Sequence, residues 1–181
     1  SREEYSVLLL DSNFYKQFSG NKILIYQEDS IILSNLSNHF LQYDYIGAPF
    51  PNKDVGNGGL SLRSKDIMIE ICENNFEPIK DKILRNLNLL KKYKPKFLQK
   101  YGKNYINDPE FYFFYLMERE LLEDLQITNI MRSKKIGKIA PFEVARSFSI
   151  EKYYHPKPFG GHQIWYCVSD MEEWLDIMLK Y

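Results

Sequence analysis

Between Asp44 and Ser64 the chain reads DYIGAPFPNKDVGNGGLSLRS, and this stretch holds four of its nine glycines and two of its eight prolines. Proline removes a backbone donor and glycine weakens helices and strands alike, so no regular element can run through residues 47–59. Tyr45-Ile46 on one side and Leu60-Ser61-Leu62 on the other are apolar. The stretch therefore reads as a loop gripped between two strands. Gly58-Gly59 permits positive φ and lets the backbone come close to another group, because no Cβ intervenes. Asn57 and Arg63 add an amide and a planar cation on either side. Two readings fit: a cradle for a phosphate- or sugar-bearing ligand, or a tight two-glycine hairpin with polar neighbours in solvent.

The chain of 181 residues is long enough to bury a real core, and it reads as one domain, 1–181. Lysine plus arginine balance aspartate plus glutamate at 24 each, which argues against a nucleic-acid partner. The 14 tyrosines and 12 phenylalanines suit a core and its rim, or stacking on sugars and bases. Cys72 and Cys167 lie far apart in apolar settings, as buried free thiols do. No apolar run approaches the roughly 18 residues of a membrane helix, and no leader is visible. The expectation is a soluble protein with a cytoplasmic setting as the default. The first residue is Ser1, which suggests a domain excised from a longer chain.

Taken in order, Glu4–Phe18 has helical spacing and ends at Ser19-Gly20-Asn21. Lys22–Tyr26 is a continuous apolar run, expected as a strand buried on both faces, and Ile31-Ile32-Leu33 follows as a second. Gln27-Glu28-Asp29 between them sits where open α/β sheets hold ligands, at a carboxyl edge. Carboxylates there suit magnesium or manganese, or else Asp29-Ser30 simply begins a turn. Ser64 caps a helix through Cys72, and Pro78–Lys92 gives another. A basic stretch runs from Lys91 to Lys103, read as a solvated face or an anion-binding rim. Asp108-Pro109-Glu110 is a helix start for Pro109–Leu125. Ile127–Met131 is expected as a strand, Ser133–Lys138 as a basic turn, Pro141–Ser147 as a short helix and Phe148–Glu151 as a short strand carrying an acid. His155–His162 is expected as a loop, and Ser169–Glu172 as a capping box for a last helix.

In order, LIYQEDS (Leu24–Ser30), DYIGAPF (Asp44–Phe50) and VGNGGLSLRS (Val55–Ser64) resemble a family of small glycosyltransferase-like domains of unknown function, the DUF5672-like proteins, with a GT-A-like fold. Ala145-Arg146-Ser147-Phe148-Ser149-Ile150-Glu151 and Phe159-Gly160-Gly161-His162 look like two further motifs of that family. The resemblance covers roughly Ile23–Trp165. It implies a Rossmann-like mixed α/β sheet flanked by helices. Only one helix precedes the first strand, so the family's first nucleotide-binding βαβ unit is expected to be missing or to lie upstream.

The resemblance also implies an activity: transfer of a sugar from a nucleotide-sugar donor to a hydroxyl of a glycan or protein acceptor. A divalent metal, manganese or magnesium, would sit on Asp29 with His162 as a further ligand. Gln27, Asn57, Gly58, Gly59 and Arg63 would meet the donor, with Arg63 on phosphate or paired with Asp29 or Asp44. The family's base belongs to a Glu-Asp pair that opens a helix, and it is sought here at Glu110, with Asp108 standing in for the second acid. The alternative is a non-catalytic carbohydrate- or nucleotide-binding module that keeps the cradle.

Overall fold

The computed structural model describes residues 2–74, 92, 122–164 and 179. At its centre is β4 (Leu60–Ser64), all five residues of which are buried. It lies between β1 (Lys22–Tyr26) and β3 (Tyr45–Gly47), antiparallel to both. Alternation along these strands divides the core into two layers. Ile23, Ile25 and Tyr45 face a layer formed with Leu9, Tyr15, Met68, Ile71, Ile127 and Met131. Ile46, Leu60 and Leu62 face the opposite layer, with Phe40, Ala145, Phe148 and Phe159.

Helices α1 (Arg2–Leu9), α2 (Ser12–Lys16), α3 (Lys65–Asn74) and α4 (Glu123–Lys134) build the first layer. The helix expected over Glu4–Phe18 is thus two short ones. Asp11 leaves helical geometry and accepts the Asn13 N–H, so it ends the first and caps the second. Strand β1 is an edge strand, with Leu24 and Tyr26 exposed, so it is buried on one face and not on both. The strand expected at Ile127–Met131 is instead part of α4. Ile127, Ile130 and Met131 are buried at the i, i+3, i+4 spacing of one helix face, which outweighs the β-branched composition. Lys135 in the left-handed conformation closes that helix.

A second sheet is ordered β2 (Ser30–Ile32), β6 (Gly160–His162), β5 (Ser149–Ile150). Its β2–β6 pair is antiparallel and its β5–β6 pair parallel. Gly160-Gly161-His162, expected within a loop, is its central strand, and α5 (Phe142–Phe148) leads directly into β5. The described part of the chain is a mixed α/β arrangement of two small sheets and helices. Its pairing is mostly antiparallel, so Asp29 lies in the turn joining the two sheets and not at the carboxyl edge of a parallel one.

The expected helix Pro78–Lys92 except its last residue, the basic stretch from residue 93 to 103, Glu110 and Asp108, Cys167 and the final helix except Leu179 lie outside the described residues. Among the described residues no helix is long and apolar enough to cross a membrane.

Candidate functional site

A cleft of about 310 Å³ opens where the first sheet, the second sheet and the N-terminus of α4 meet. Gln27, Asn57, Gly58 and Gly59 line it from the loops beside β1 and β4, Glu123 and Asp124 from α4, and Glu151, His162 and Gln163 from the ends of β5 and β6. Tyr5 and Ser6 of α1 close one side. No lysine or arginine is among the described residues that line it. The cleft is therefore acidic and amide-rich, a setting for a cation or for hydroxyl-bearing ligands.

Its floor is built on Arg63. As an odd residue of β4 it faces the helical layer, where register sets it between Ile23 of β1 and Tyr45 of β3. It is completely buried there, and every nitrogen of the guanidinium is used. Nη2 donates to Glu123 Oε1 at 2.9 Å, Nη1 to the Tyr15 hydroxyl at 3.2 Å and Nε to Ser61 Oγ at 3.0 Å. The cation also lies 5.0 Å from the centre of the Tyr45 ring. Burial works against its charge, but the Tyr45, Tyr15 and Glu123 groups outweigh that and hold its pKa well above the ordinary arginine value. Burial pushes the Tyr15 phenol up to about 12, so it stays neutral and donates its O–H to Leu9 O at 2.8 Å. Ser6 Oγ approaches the second oxygen of Glu123 at 3.4 Å.

Glu123 is therefore consumed by Arg63, and its neighbour is left to face the cleft. Asp124 Oδ2 accepts the Gly58 N–H at 3.0 Å and Oδ1 accepts the Leu125 N–H at 2.7 Å. Burial, then the charge of Glu123, raise its pKa from the usual 3.8 to about 6, against the lowering effect of those two N–H donors and Arg63.

Across the cleft three short strands deliver Asp29, His162 and Glu151. Ser30 pairs with His162, and Ile150 with Gly161, so the residues before β2, at the end of β6 and after β5 become neighbours. His162 Nε2 is 3.2 Å from Asp29 Oδ1, yet the two are out of line for a hydrogen bond and both atoms are buried without a partner. Gln163, at φ +49°, holds Asp29 by donating its backbone N–H to Asp29 O at 3.0 Å and its side-chain Nε2 to Oδ2 at 2.8 Å. Two adjacent ligands of an octahedral ion, each about 2.1 Å away, lie about 3.0 Å apart, so the spacing of this pair is that of neighbouring ligands, and its imidazole suits a transition ion better than magnesium. Among the described residues no group of three or more His, Cys, Asp and Glu converges as a complete metal site.

The two glycines owe their identity to these side chains. A Cβ on Gly58 would lie 2.6 Å from Glu123 Oε1, and one on Gly59 would overlap the His162 ring. Both amides are already committed, Gly58 N–H to Asp124 and Gly59 N–H to Asn57 Oδ1 at 3.0 Å. Gly59→Ala should cost about 1–3 kcal/mol as an overpacked contact, read from the urea midpoint. An unchanged midpoint would contradict the tight Gly59–His162 packing.

Of the residues expected from sequence, Gln27, Asn57, Gly58, Gly59 and His162 line one cleft, and Asp29 adjoins it through His162 and Gln163. Arg63 does not reach it and pairs with Glu123, not with Asp29 or Asp44. Glu110 and Asp108 lie outside the described residues. Glu123-Asp124 was overlooked, although it is a literal Glu-Asp pair at the start of a helix. The helix expected over Pro109–Leu125 set the pair at a helix end, whereas Leu122 is extended and a helix begins at Glu123. A family model described as "Protein of unknown function (DUF5672)" matches residues 1–162. No curated protein and no solved structure matches the chain.

Proposed function

The chain belongs to the DUF5672 family, and from its cleft we propose that it is a metal-assisted glycosyltransferase of GT-A-like type, moving a sugar from a nucleotide-sugar donor to an acceptor hydroxyl. The observation that carries this reading is the Asp124 carboxylate. It is held by the Gly58 N–H with its pKa raised to about 6, in one cleft with His162 and, behind it, the unpaired oxygen of Asp29. A general base works best when its pKa lies near the working pH, and few carboxylates do.

In the proposed displacement Asp124 accepts the proton of the acceptor hydroxyl. The hydroxyl oxygen bonds to the anomeric carbon as the bond from that carbon to the diphosphate oxygen breaks, and the nucleoside diphosphate leaves. Asp29 and His162 would hold the divalent ion, manganese or magnesium, which when bound offsets the charge gathering on the departing diphosphate. Glu123 is spent on Arg63, so it positions Asp124 and takes no proton itself. Gln27 and the Asn57 amide group meet the sugar hydroxyls, while the Gly58 and Gly59 amides shape the loop.

The test is a panel of nucleotide-sugars with manganese, assayed for donor hydrolysis and for transfer to simple glycans. Turnover that is lost in Asp29→Ala supports the proposal. Sugar binding without turnover, indifferent to manganese, would instead indicate a binding module. Because the base must be ionised, kcat/KM should fall about tenfold per pH unit below about pH 6 and level off above it. A flat profile from pH 5 to 8, on the order of the imidazole and carboxylate range, would remove Asp124 as the base.

A further inference from the structure

His162 carries two contacts of unequal kind. The longer one, Nδ1 to Glu151 Oε2 at 3.4 Å, has hydrogen-bond geometry. The shorter one, Nε2 to Asp29 Oδ1 at 3.2 Å, does not, and leaves both atoms without a partner. The side chains of His162 and Glu151 are 7% and 12% exposed, so water has little access to either. The flat face of the ring is fixed as well, because it occupies the place a Cβ on residue 59 would take.

A neutral imidazole has one N–H and one lone pair, and the partner of one nitrogen decides the state of the other. Glu151 is the aligned acceptor, which assigns the proton to Nδ1. Nε2 then presents its lone pair to Asp29 Oδ1, and two buried acceptors face each other at 3.2 Å. That arrangement is unfavourable until a cation enters. We infer that Glu151 is a positioning residue that locks His162 in the Nδ1–H tautomer and thereby creates the Asp29–His162 cation site. The acid of the Phe148-Ser149-Ile150-Glu151 segment gains a role by this means. Carboxylates that orient metal-binding histidines in this way act without touching the ion. The cation's part rests on the metal reading proposed above, but the tautomer does not.

The two parts separate experimentally. The protein has three histidines, so long-range proton–nitrogen correlation spectra of the metal-free chain, assigned with His162→Gln, report the ring directly. At about pH 8, above the ordinary imidazole range, wild type should show the proton on Nδ1. In Glu151→Leu the proton should move to Nε2 and turn toward Asp29, while Glu151→Gln keeps an acceptor oxygen and the wild-type tautomer. Manganese affinity, followed by electron paramagnetic resonance, should drop about 10–100-fold in Glu151→Leu and be largely restored in Glu151→Gln. A wild-type proton on Nε2, or a folded Glu151→Leu with unchanged tautomer, overturns the inference. If Glu151→Leu does not fold, the wild-type and Glu151→Gln spectra decide it. A wild-type Nδ1–H tautomer with no manganese binding supports the tautomer lock and overturns the metal reading instead.

Discussion

Asp124→Asn is expected to lower kcat/KM by about 10²–10⁴-fold while leaving the fold intact. Such a factor corresponds to about 3–5 kcal/mol of transition-state stabilisation. Asparagine keeps one oxygen to accept the Gly58 N–H, so the loop Asn57–Gly59 retains its anchor, while its amide nitrogen gives up the second contact, to the Leu125 N–H. What it lacks is the capacity to take a proton. The acid limb of the pH profile should disappear with the activity. Stability should move the other way, and the sign follows from the raised pKa. Between the unfolded value of 3.8 and the folded value of about 6 the folded state keeps its proton longer, so stability falls as pH rises through that window and remains lower above it. A neutral asparagine escapes that loss. Relative to wild type, Asp124→Asn should therefore melt higher at pH 7 than it does below the carboxylate range, the lost Leu125 contact being a cost that does not change with pH. A variant that turns over at the wild-type rate would dismiss Asp124 as the base.

Arg63→Met should destabilise the protein by about 3–5 kcal/mol, because it leaves Glu123 as a buried carboxylate with no cation. Tyr15 and Ser61 would lose their partner in the same step. Arg63→Met combined with Glu123→Leu should recover most of the lost stability, as apolar replacement of a whole buried pair is often neutral. Urea unfolding of the two single variants and the double variant measures the coupling. A single-variant loss below about 1 kcal/mol would show that the pair contributes little. Even a stable double variant should remain slower in transfer than wild type, because the Arg63–Glu123 pair no longer helps to fix the first turn of α4 and with it Asp124.

Much of the frame was legible from local pattern. The Gly and Pro content of residues 47–59 marks a loop, and the apolar pairs flanking it are β3 and β4. Ser64 is followed at once by α3, with Met68, Ile71 and Cys72 buried on one face. The reading failed where two patterns compete. Ile127, Ile130 and Met131 are compatible with a short strand or a helix, and only packing against the first sheet decides for the helix. With Ile127–Met131 read as a strand, the preceding helix was ended at Leu125, which put Glu123-Asp124 at the end of one helix when the pair heads another.

Arg63 marks the division between the two sources of information. Alternation along Leu60–Ser64 is fixed by sequence, since successive strand residues point to opposite faces. The same sequence states that an arginine on one face needs partners, because a buried unpaired charge is prohibitive. It does not state whether that face meets solvent, a ligand or a helix. Here α1, α2 and α4 cover it, from positions 48 to 60 residues away in the case of Tyr15 and Glu123. The same holds for Asp29, Glu151 and His162, which become neighbours only through the pairing of β2, β6 and β5. Local propensity and alternation, which depend on adjacent residues, determined many of the elements, the glycine loop and five of the twelve residues that line the cleft. Strand pairing and helix packing, which bring distant residues together, decided which acid pairs with Arg63, which one lines the cleft beside Gly58 and which histidine nitrogen faces Asp29.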